Sequence, residues 1–238
     1  MKKTFFILFT LGLLSASICA QKPFPFSQYH KVLFIGAHPD DNESAAGGTM
    51  IRLQQNGTEV VSVYLTSGEA GIEGKSFDEA AAIRRAELKE ACQVMGVSYR
   101  WLSQIDGHTE ITPSRYAEML ELIQQENPDA VFTHWPIDGH RDHRICSVLV
   151  FDAWIQMHRQ FDLYYYEVET GHQSRNFNPE CYVNIDSVYQ LKYKALFCHQ
   201  SQNPQRIMDD WHNDMELYRG KESECTRAEA FVLQKGTR

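Results

Sequence analysis

The chain alternates between short apolar runs and longer stretches in which apolar residues recur every three to four positions. The first pattern is typical of buried strands and the second of amphipathic helices. The predicted strands are KVLFIGA (31–37), EVVSVYLTSG (59–68), YRWL, DAVFTHW (129–135), DLYYYEVE and ECYVNID. The predicted helices are GGTMIRLQQNG (47–57), SFDEAAAIRRAELKEACQVMG (76–96), TPSRYAEMLELIQQENP, a segment from about His143 to Met157, and SVYQLKYKALFCHQSQ.

Strands that alternate with helices of this length indicate βαβ units. The expected fold class is therefore α/β: a Rossmann-like open, mostly parallel sheet with helices on both faces. Ligands of such sheets bind beyond the carboxyl ends of the strands, so we expect the functional site at that edge. No repeat or linker interrupts the pattern, which favours a single domain.

The first twenty residues, MKKTFFILFTLGLLSASICA, differ from the rest of the chain. Two lysines, a short apolar stretch and then small residues are the layout of a secretory signal peptide. The stretch is shorter than the ~20 residues that cross a bilayer. We therefore expect a signal peptide at 1–20, a single domain at 21–238, and an exported mature chain, periplasmic or extracellular, with no membrane span. Lipid anchoring at Cys19 is an alternative that the preceding Ile18 disfavours.

The composition of the chain limits the kinds of partner to be expected. The chain has 23 basic and 31 acidic side chains, a formal net charge of −8, and no basic patch. A nucleic-acid partner is therefore not expected. After the signal peptide, five cysteines remain without a CxxC pair, and we expect most of them to be buried apolar residues.

Two clusters of histidine and acidic residues follow predicted strands. FIGAHPDDNESAAGG spans 34–48, and HWPIDGHRDHR spans 134–144, so both are expected at the carboxyl edge of the sheet. His38, Asp41 and His143 would supply two imidazole nitrogens and one carboxylate oxygen, a donor set that suits zinc and leaves a position for water. Ferrous iron also accepts this set, so Zn2+ is the expected cofactor and Fe2+ its alternative.

The residues beside these donors suit amide hydrolysis. A metal held there lowers the pKa of its bound water to ~7, which makes a nucleophile available at neutral pH. Asp40 could accept the proton of that water. His140 lies three residues before His143, so both rings can face one pocket. As an alternative, Asp40 and Asp41 cap a helix, since carboxylates accept the free amide hydrogens of a helix N-terminus.

The same motifs resemble a known family. AHPDDNE followed by GGT, and HWPIDGHRDHR farther on, are similar to the signatures of the PIG-L (LmbE-like) deacetylases. The resemblance covers most of residues 31–201 and includes YLTSGEAG, RRAELKEACQVMGV, YYYEVETG and KALFCHQSQ. Members of this family remove the acetyl group from N-acetylglucosamine-type sugars. The resemblance therefore implies the metal-dependent deacetylation of such a sugar.

The resemblance also implies roles for individual residues. It makes His38, Asp41 and His143 the metal ligands, and it makes Asp40 the general base.

Four further residues receive roles outside the metal ligands. His140 matches the histidine that stabilises the oxyanion or protonates the leaving amine. Asp142 matches an acid that orients and charges the histidine pair. Arg84 matches an arginine near the substrate pocket, although it could instead lie on the exposed face of its helix beside acidic neighbours. His172 lies in a loop that often contributes to substrate binding in the family.

The sequence departs from the family pattern at one position. Family members often carry a glutamate directly after the two aspartates, whereas Asn42 intervenes here. We therefore expect Glu43 to bond to the loop or to support a ligand, not to bind the metal. We interpret Asp138 as a turn residue. The sequence leaves His134 open between support of the ligands and ordinary packing, and it assigns no role to His199.

The expected function is that of a metal-dependent N-deacetylase. It would hydrolyse the acetamide of an N-acetylglucosamine-type sugar or glycoconjugate, with metal-bound water as the nucleophile. The expected partner is this small amino-sugar or glycoconjugate substrate. Two alternatives remain: a hydrolase of another N-acyl amide, and a metal-stabilised sugar-binding protein without turnover.

Overall fold

The computed structural model describes residues 26–235. The predicted signal peptide and Cys19 lie outside the described residues. Within this range, none of the helices combines the length and the apolar character that crossing a bilayer requires.

Within residues 26–235, seven strands form one open, mostly parallel sheet. The strands are β1 Lys31–Gly36, β2 Glu59–Tyr64, β3 Ser98–Trp101, β4 Ala130–His134, β5 Asp162–Tyr166, β6 Cys181–Asn184 and β7 Ala228–Leu233. Their order in the sheet is β3-β2-β1-β4-β5-β7-β6. All neighbours from β3 to β5 pair in parallel, and β7 runs antiparallel to both β5 and β6. Of these seven described strands, only β7 therefore opposes the common direction, as expected for a mostly parallel sheet.

Helices cover both faces of the sheet, because successive strand residues point to opposite sides. The α-helices are α1 Asp41–Gln55, α2 Phe77–Met95, α3 Pro113–Glu126, α4 Arg141–Gln156, α5 Tyr189–Leu196, α6 Pro204–Ile207 and α7 Asn213–Glu222. Val32 and Phe34 of β1 pack in the core beneath α1, α2 and α5, while Leu33 and Ile35 pack in a second core beneath α3 and α4. A 3-10 helix at Gln200–Gln202 precedes α6, and a π-helix at Met208–His212 follows it.

The predicted helix signals are confirmed in α2 and α3. The Ser76 side chain accepts the Glu79 N–H at the start of α2, and Gly96 ends the helix with a φ of 74°. Thr112 caps α3 in the same way, directly before Pro113.

The predicted start of the first helix at residue 47 is wrong, because α1 begins at Asp41 with Asp40 at its N-cap. The predicted helix at 47–57 is thus only the second part of α1. Small residues fill its first turns because neighbouring elements approach closely there. A Cβ added to Gly48 would stand 2.6 Å from Cγ2 of Ile185. A polar beginning followed by small residues hides the apolar periodicity on which the prediction depends.

The C-terminal third also differs from expectation. The predicted helix at SVYQLKYKALFCHQSQ ends at Leu196, and a 3-10 turn follows after a short break. The sequence does not predict β7, because its second residue is Glu229, a charge that is atypical of a central strand. Glu229 is nevertheless only 3% exposed. Its carboxylate accepts hydrogen bonds from the backbone amides of Gly48 and Thr49.

Candidate active site

The two predicted clusters meet where the sheet changes direction. The chain proceeds from β1 to β2 and β3 on one side, and then crosses to β4 on the other side of β1. Because β1 and β4 are parallel neighbours, with Ile35 opposite Thr133, both open at the same edge. Loops that leave adjacent strands in opposite directions form a crevice at such a switch point. The segments 37–41 and 135–143 line that crevice.

His38 and His143 both lie against the carboxylate of Asp41. Nδ1 of His38 lies 3.3 Å from Oδ2 of Asp41, and Nε2 of His143 lies 3.3 Å from Oδ1 of the same carboxylate. All three side chains are buried, and the backbone N–H of His38 also donates to Asp41 over 2.7 Å. Two imidazole nitrogens beside one carboxylate are a donor set that suits zinc or ferrous iron.

In both His38 and His143, the ring nitrogen that does not face Asp41 contacts an acidic side chain. Nε2 of His38 lies 3.1 Å from Asp106 and 3.3 Å from Asp142. Nδ1 of His143 lies 3.3 Å from Asp138. Such carboxylates fix the orientation of a metal-binding ring and leave its other nitrogen for the metal. The chain therefore presents Nδ1 of His38 and Nε2 of His143 towards Asp41.

Two sequence interpretations need correction here. The sequence assigns Asp142 to the orientation of the His140 and His143 pair, but its carboxylate contacts His38. Helix α4 begins at Arg141, so the side chain of Asp142 lies in its first turn and reaches towards the loop after β3, where Gly107 N–H donates to it over 2.8 Å.

Asp138 is more than the turn residue that the sequence indicates. It does accept the His140 N–H over 2.7 Å, but the same oxygen also faces His143. The turn therefore places a carboxylate directly behind one of the donor histidines.

Asp106 is absent from the sequence-based set of site residues. It follows β3 in a loop with no motif, so only its position beyond the carboxyl end of a strand marks it.

Within residues 26–235, three groups of side chains bring potential metal ligands together: His38, His140 and His143; Asp41, His134 and His143; and His38, Asp106 and Asp142. The set of His38, Asp41 and His143 combines members of the first two groups, and His134 is the alternative to His38 in it. His134 Nε2 lies 3.3 Å from Asp41, and its ring stacks on that of His143 with 4.0 Å between centroids. However, the same nitrogen accepts the Ala37 N–H over 2.9 Å, and His134 does not line the cavity. His38 lines it, so His38 fits better as the third donor with access to water. His134 instead supports Asp41 from behind.

The electrostatics favour a cation at this point. Burial lowers the pKa of His38, but hydrogen bonds to Asp106, Asp142 and Asp41 outweigh it and raise that pKa well above the ordinary value. Burial likewise opposes ionisation of Asp41, yet His143 and His134 hold its pKa well below the usual range. The acids therefore stabilise positive charge at the histidines, whether it is a proton or a metal ion, and metal binding would release the proton.

Asp40 stands beside the donors in an unusual backbone conformation. Its φ is 110°, which is rare for a residue with a side chain. Its backbone N–H donates to Glu43 over 3.1 Å, and its carboxylate lies 3.1 Å from Nη2 of Arg84. Burial, only partly offset by Arg84, raises the pKa of Asp40 to about 6. Asp40 is thus both the N-cap residue of α1 and a carboxylate on the cavity wall, so the two interpretations of this residue do not exclude each other.

Arg84 is not on an exposed helix face. It is 3% exposed and donates to the carbonyl oxygen of Pro39 in the loop after β1. Arg84 contributes to the lining of the cavity, and its substrate-binding role stays a prediction.

Asn42 and Glu43 anchor the start of α1 in the core. The Asn42 amide donates to the Phe34 carbonyl and to Ser62 Oγ, over 3.1 and 2.9 Å, and its oxygen accepts the Tyr166 hydroxyl over 2.8 Å. The Glu43 carboxylate accepts the hydroxyl of Tyr64. As expected, Glu43 bonds to its own loop and not to the donor cluster.

His140 lies next to both donor histidines. Its ring centroid is 4.8 Å from that of His38 and 4.6 Å from that of His143. Nδ1 of His140 accepts the Asp142 N–H over 3.3 Å, which leaves the proton of the neutral ring on Nε2. Burial and the two neighbouring histidines lower its pKa.

A cavity of about 220 Å³ contains these groups. Its lining consists of His38, Asp40, Asp41, Ser44, Arg84, Asp106, His140, His143, Val168, Glu169, Gln173, Gln202, Ile207 and His212. His172 is not among them. Its side chain is 64% exposed, contacts Glu169 over 2.8 Å and stacks on Trp211. The substrate-binding role of His172 therefore stays a prediction.

The fold and the site together define an α/β protein with a candidate metal centre in a cavity at its switch point. The chain belongs to the PIG-L family, whose pattern, described as GlcNAc-PI de-N-acetylase, matches residues 33–154. The matched region contains every donor described above.

Individual relatives share most of the chain. A diacetylchitobiose deacetylase from Thermococcus kodakarensis is 31% identical over 231 residues, which cover 89% of this chain and 86% of that protein. A probable N-acetyl-alpha-D-glucosaminyl L-malate deacetylase 2 from Bacillus cereus is 31% identical over 192 residues, 76% of this chain and 87% of that protein. The structure of N,N'-diacetylchitobiose deacetylase from Pyrococcus horikoshii, with its inhibitor MPG, superposes with a TM-score of 0.77 at 28% identity, over 88% of this chain and 85% of that one.

Proposed function

We propose that this chain is a metal-dependent N-deacetylase that hydrolyses the acetamide of an N-acetylglucosamine-type sugar or glycoconjugate. The observation that carries the proposal is the convergence of His38, Asp41 and His143 in one cavity, with Asp40 beside them. The named activities of the relatives, which are deacetylases of acetylated amino sugars, support the same reaction.

Zinc is the proposed ion, with ferrous iron as the alternative, because the donor set has two nitrogens and one carboxylate oxygen. A divalent ion held there would polarise the amide carbonyl and lower the pKa of a water molecule to about 7.

The remaining chemistry belongs to side chains of this protein. Asp40 is placed to take the proton from the attacking water, since its carboxylate lines the cavity next to Asp41. Arg84 holds that carboxylate in position. His140 carries its proton on Nε2 and can donate to the oxygen that becomes negative as the carbonyl carbon turns tetrahedral. The proton that Asp40 takes from the water can then pass to the departing amine, so that acetate and a free amino sugar are released.

The test is an assay of amine release from N-acetylglucosamine and N,N'-diacetylchitobiose, coupled to metal analysis. We expect chelation to abolish turnover and zinc to restore it. Asp40→Asn should keep the metal and lose roughly 10²-fold or more in kcat, since a positioned general base contributes about that much. Asp78→Asn, at an exposed position of α2, is the control and should behave as the wild type.

The donors are tested by metal content. His38→Ala should lose the bound zinc, whereas His134→Ala should retain most of it, because His134 supports Asp41 from outside the cavity. If His38→Ala retained zinc and His134→Ala lost it, His134 would be the metal ligand in place of His38. Turnover that survives complete removal of the metal would refute the proposal.

The two alternatives are separated by the same assay. Release of amine from other N-acyl compounds but not from acetylated sugars would indicate a different amidohydrolase. Binding of sugars without any amine release would indicate a binding protein.

Export remains part of the proposal and is supported by the layout of residues 1–20. Expression of the full chain in a bacterial host should yield a processed protein that begins at Gln21. Incorporation of a labelled fatty acid would instead indicate an anchor at Cys19.

A further inference from the structure

The cavity has two parts with different origins in the chain. The donor cluster and its neighbours lie within residues 33–154, the part that matches the family pattern. The rest of the wall comes from beyond that region and consists of Val168, Glu169, Gln173, Gln202, Ile207 and His212. The second wall is therefore separate along the chain from the proposed reacting groups.

His212 is the unusual member of this second wall. It is 1% exposed at the end of the π-helix, and neither ring nitrogen has a hydrogen-bond partner within residues 26–235. Burial of a polar ring without partners is costly, so such a group calls for an explanation. Because His212 lines the cavity, a ligand can supply the missing partners.

The ring of His212 is suited to a hydroxyl group. Burial, helped by the charge of Lys192, lowers the pKa of His212 to about 3, so the ring is neutral at physiological pH. A neutral imidazole has one donor and one acceptor, and a sugar hydroxyl can pair with either.

Within residues 26–235, Glu169 is the acidic residue of the second wall. It follows β5 and is 8% exposed, and its carboxylate contacts His172 over 2.8 Å. The arginine of the lining, Arg84, is engaged by Asp40. Among the described residues, no lysine or arginine of the lining is therefore free to receive a phosphate or a carboxylate.

Glu169 places a carboxylate in this wall. Burial raises the pKa of this carboxyl, and the neighbouring His172 opposes that rise. Because the wall is buried, a negative charge on Glu169 is weakly screened and acts strongly on a substituent nearby.

We propose that Glu169 and His212 form a subsite for the non-reacting part of the sugar, which accepts neutral or cationic amino sugars and disfavours sugars that carry a phosphate or carboxylate. His212 pairs with a ring hydroxyl. The Glu169 carboxylate accepts hydrogen bonds from hydroxyl or ammonium groups and repels anions. This inference rests on the proposed function, because it takes the acetamide to lie at His38, Asp41 and His143.

The test measures binding by calorimetry to the full zinc-loaded protein that carries Asp40→Asn, which keeps the metal without appreciable turnover, with three probes that share one ring: N-acetylglucosamine, glucosamine and N-acetylglucosamine 6-phosphate. We expect the phosphate to bind at least about tenfold more weakly than the other two, as expected for one uncompensated charge. Glu169→Gln should remove most of this difference. His212→Phe should weaken all three by roughly tenfold, the value of one buried hydrogen bond.

Two variants serve as matched controls. Asp209→Asn removes an exposed charge within the π-helix and should leave the binding ratios unchanged. His199→Phe removes another buried imidazole without hydrogen-bond partners in the described chain, but one that does not line the cavity, so affinities should stay the same. His212→Gln, which keeps a donor and an acceptor, should weaken binding less than His212→Phe does, and it also serves if the phenylalanine variant fails to fold.

The inference falls if the phosphate probe binds as tightly as N-acetylglucosamine, or if Glu169→Gln weakens all probes equally. It also falls if His199→Phe and His212→Phe have the same effect. Failure of the proposed function is distinguishable, because binding is measured without turnover. A charge preference with no hydrolysis refutes the deacetylase alone, whereas hydrolysis without the preference refutes the subsite alone.

Discussion

The guanidinium of Arg84 contacts Asp40 and the backbone beside it at the same time. Its Nη2 lies 3.1 Å from the Asp40 carboxylate and also donates to the carbonyl oxygen of Pro39. Because Asp40 has a φ of 110°, the loop before α1 is held in a conformation that it would not adopt alone. Arg84 therefore positions Asp40, the proposed base, by contacting both the Asp40 carboxylate and the backbone next to Asp40.

Arg84→Lys should lower kcat by roughly 10- to 100-fold while zinc stays bound. A lysine ammonium is a point charge on a flexible stem and cannot reproduce the planar fork of arginine. A displacement of the base by about 1 Å is enough for such a loss. Steady-state kinetics with metal analysis would measure it. Arg85→Lys, at the neighbouring position, is the control, and equal kcat values for the two variants would contradict the positioning role.

Gly68→Ala should also disturb the contact between Arg84 and Asp40, because Gly68 packs against the Arg84 guanidinium. Gly68 has a φ of 68°, and an added Cβ would overlap the Arg84 guanidinium. Gly74 is a matched control, because its φ is 77° but an added Cβ would meet nothing within 4 Å. Both alanine variants should lose about 1–2 kcal/mol of stability from the left-handed backbone. Only Gly68→Ala should also lose kcat, and an equal loss in Gly74→Ala would refute the contact.

The sequence predicts the donors but not the wall around them. His38, Asp41 and His143 lie in two dense motifs at strand ends, so their convergence follows from the parallel order of the strands. Asp106 is a single acid in a loop without a motif, and Glu169 falls at the end of the predicted strand DLYYYEVE, where the sequence assigns it no role. Only the folded chain shows that they face the same cavity.

The C-terminal elements are harder to predict for an energetic reason. Strand β7 contains Glu229, and α5 contains Lys192, so their patterns suggest solvent exposure. In the fold these charges neutralise each other in the core. Periodicity treats each residue separately and cannot detect a pair that becomes apolar only together.

Lys192→Met should destabilise the protein by about 3–5 kcal/mol. Lys192 Nζ lies 2.7 Å from Glu216 and 2.8 Å from Glu229, and all three side chains are at most 1% exposed. Removal of one member leaves buried charge without compensation. Urea unfolding would measure the loss. Lys194→Met, on the exposed side of the same helix, should change stability by less than about 0.5 kcal/mol.

The same network predicts a rescue. Adding Glu216→Gln and Glu229→Gln to Lys192→Met removes the uncompensated charges and should restore much of the stability, since apolar or neutral replacements of buried ion pairs are often tolerated. The amide introduced by Glu229→Gln would keep one acceptor for the backbone N–H groups of Gly48 and Thr49. A triple variant as unstable as Lys192→Met would show that the charges themselves are not the cause.

His199 should make the protein sensitive to acid. Burial, reinforced by Arg84, lowers its pKa to about 3 in the folded state, and Nε2 lies 3.7 Å from Glu43. In the unfolded chain a histidine titrates near 6.5. Its contribution to stability is therefore complete above about pH 6.5 and declines as pH falls towards 3, because the unfolded chain binds a proton that the folded chain does not bind.

His199→Phe should flatten this decline by up to about 1.4 kcal/mol per pH unit. Urea unfolding of metal-free protein between pH 4 and 7 would measure the slope, with His30→Phe at an exposed position as the control, and an unchanged slope in His199→Phe would show that its ring is not kept neutral in the fold.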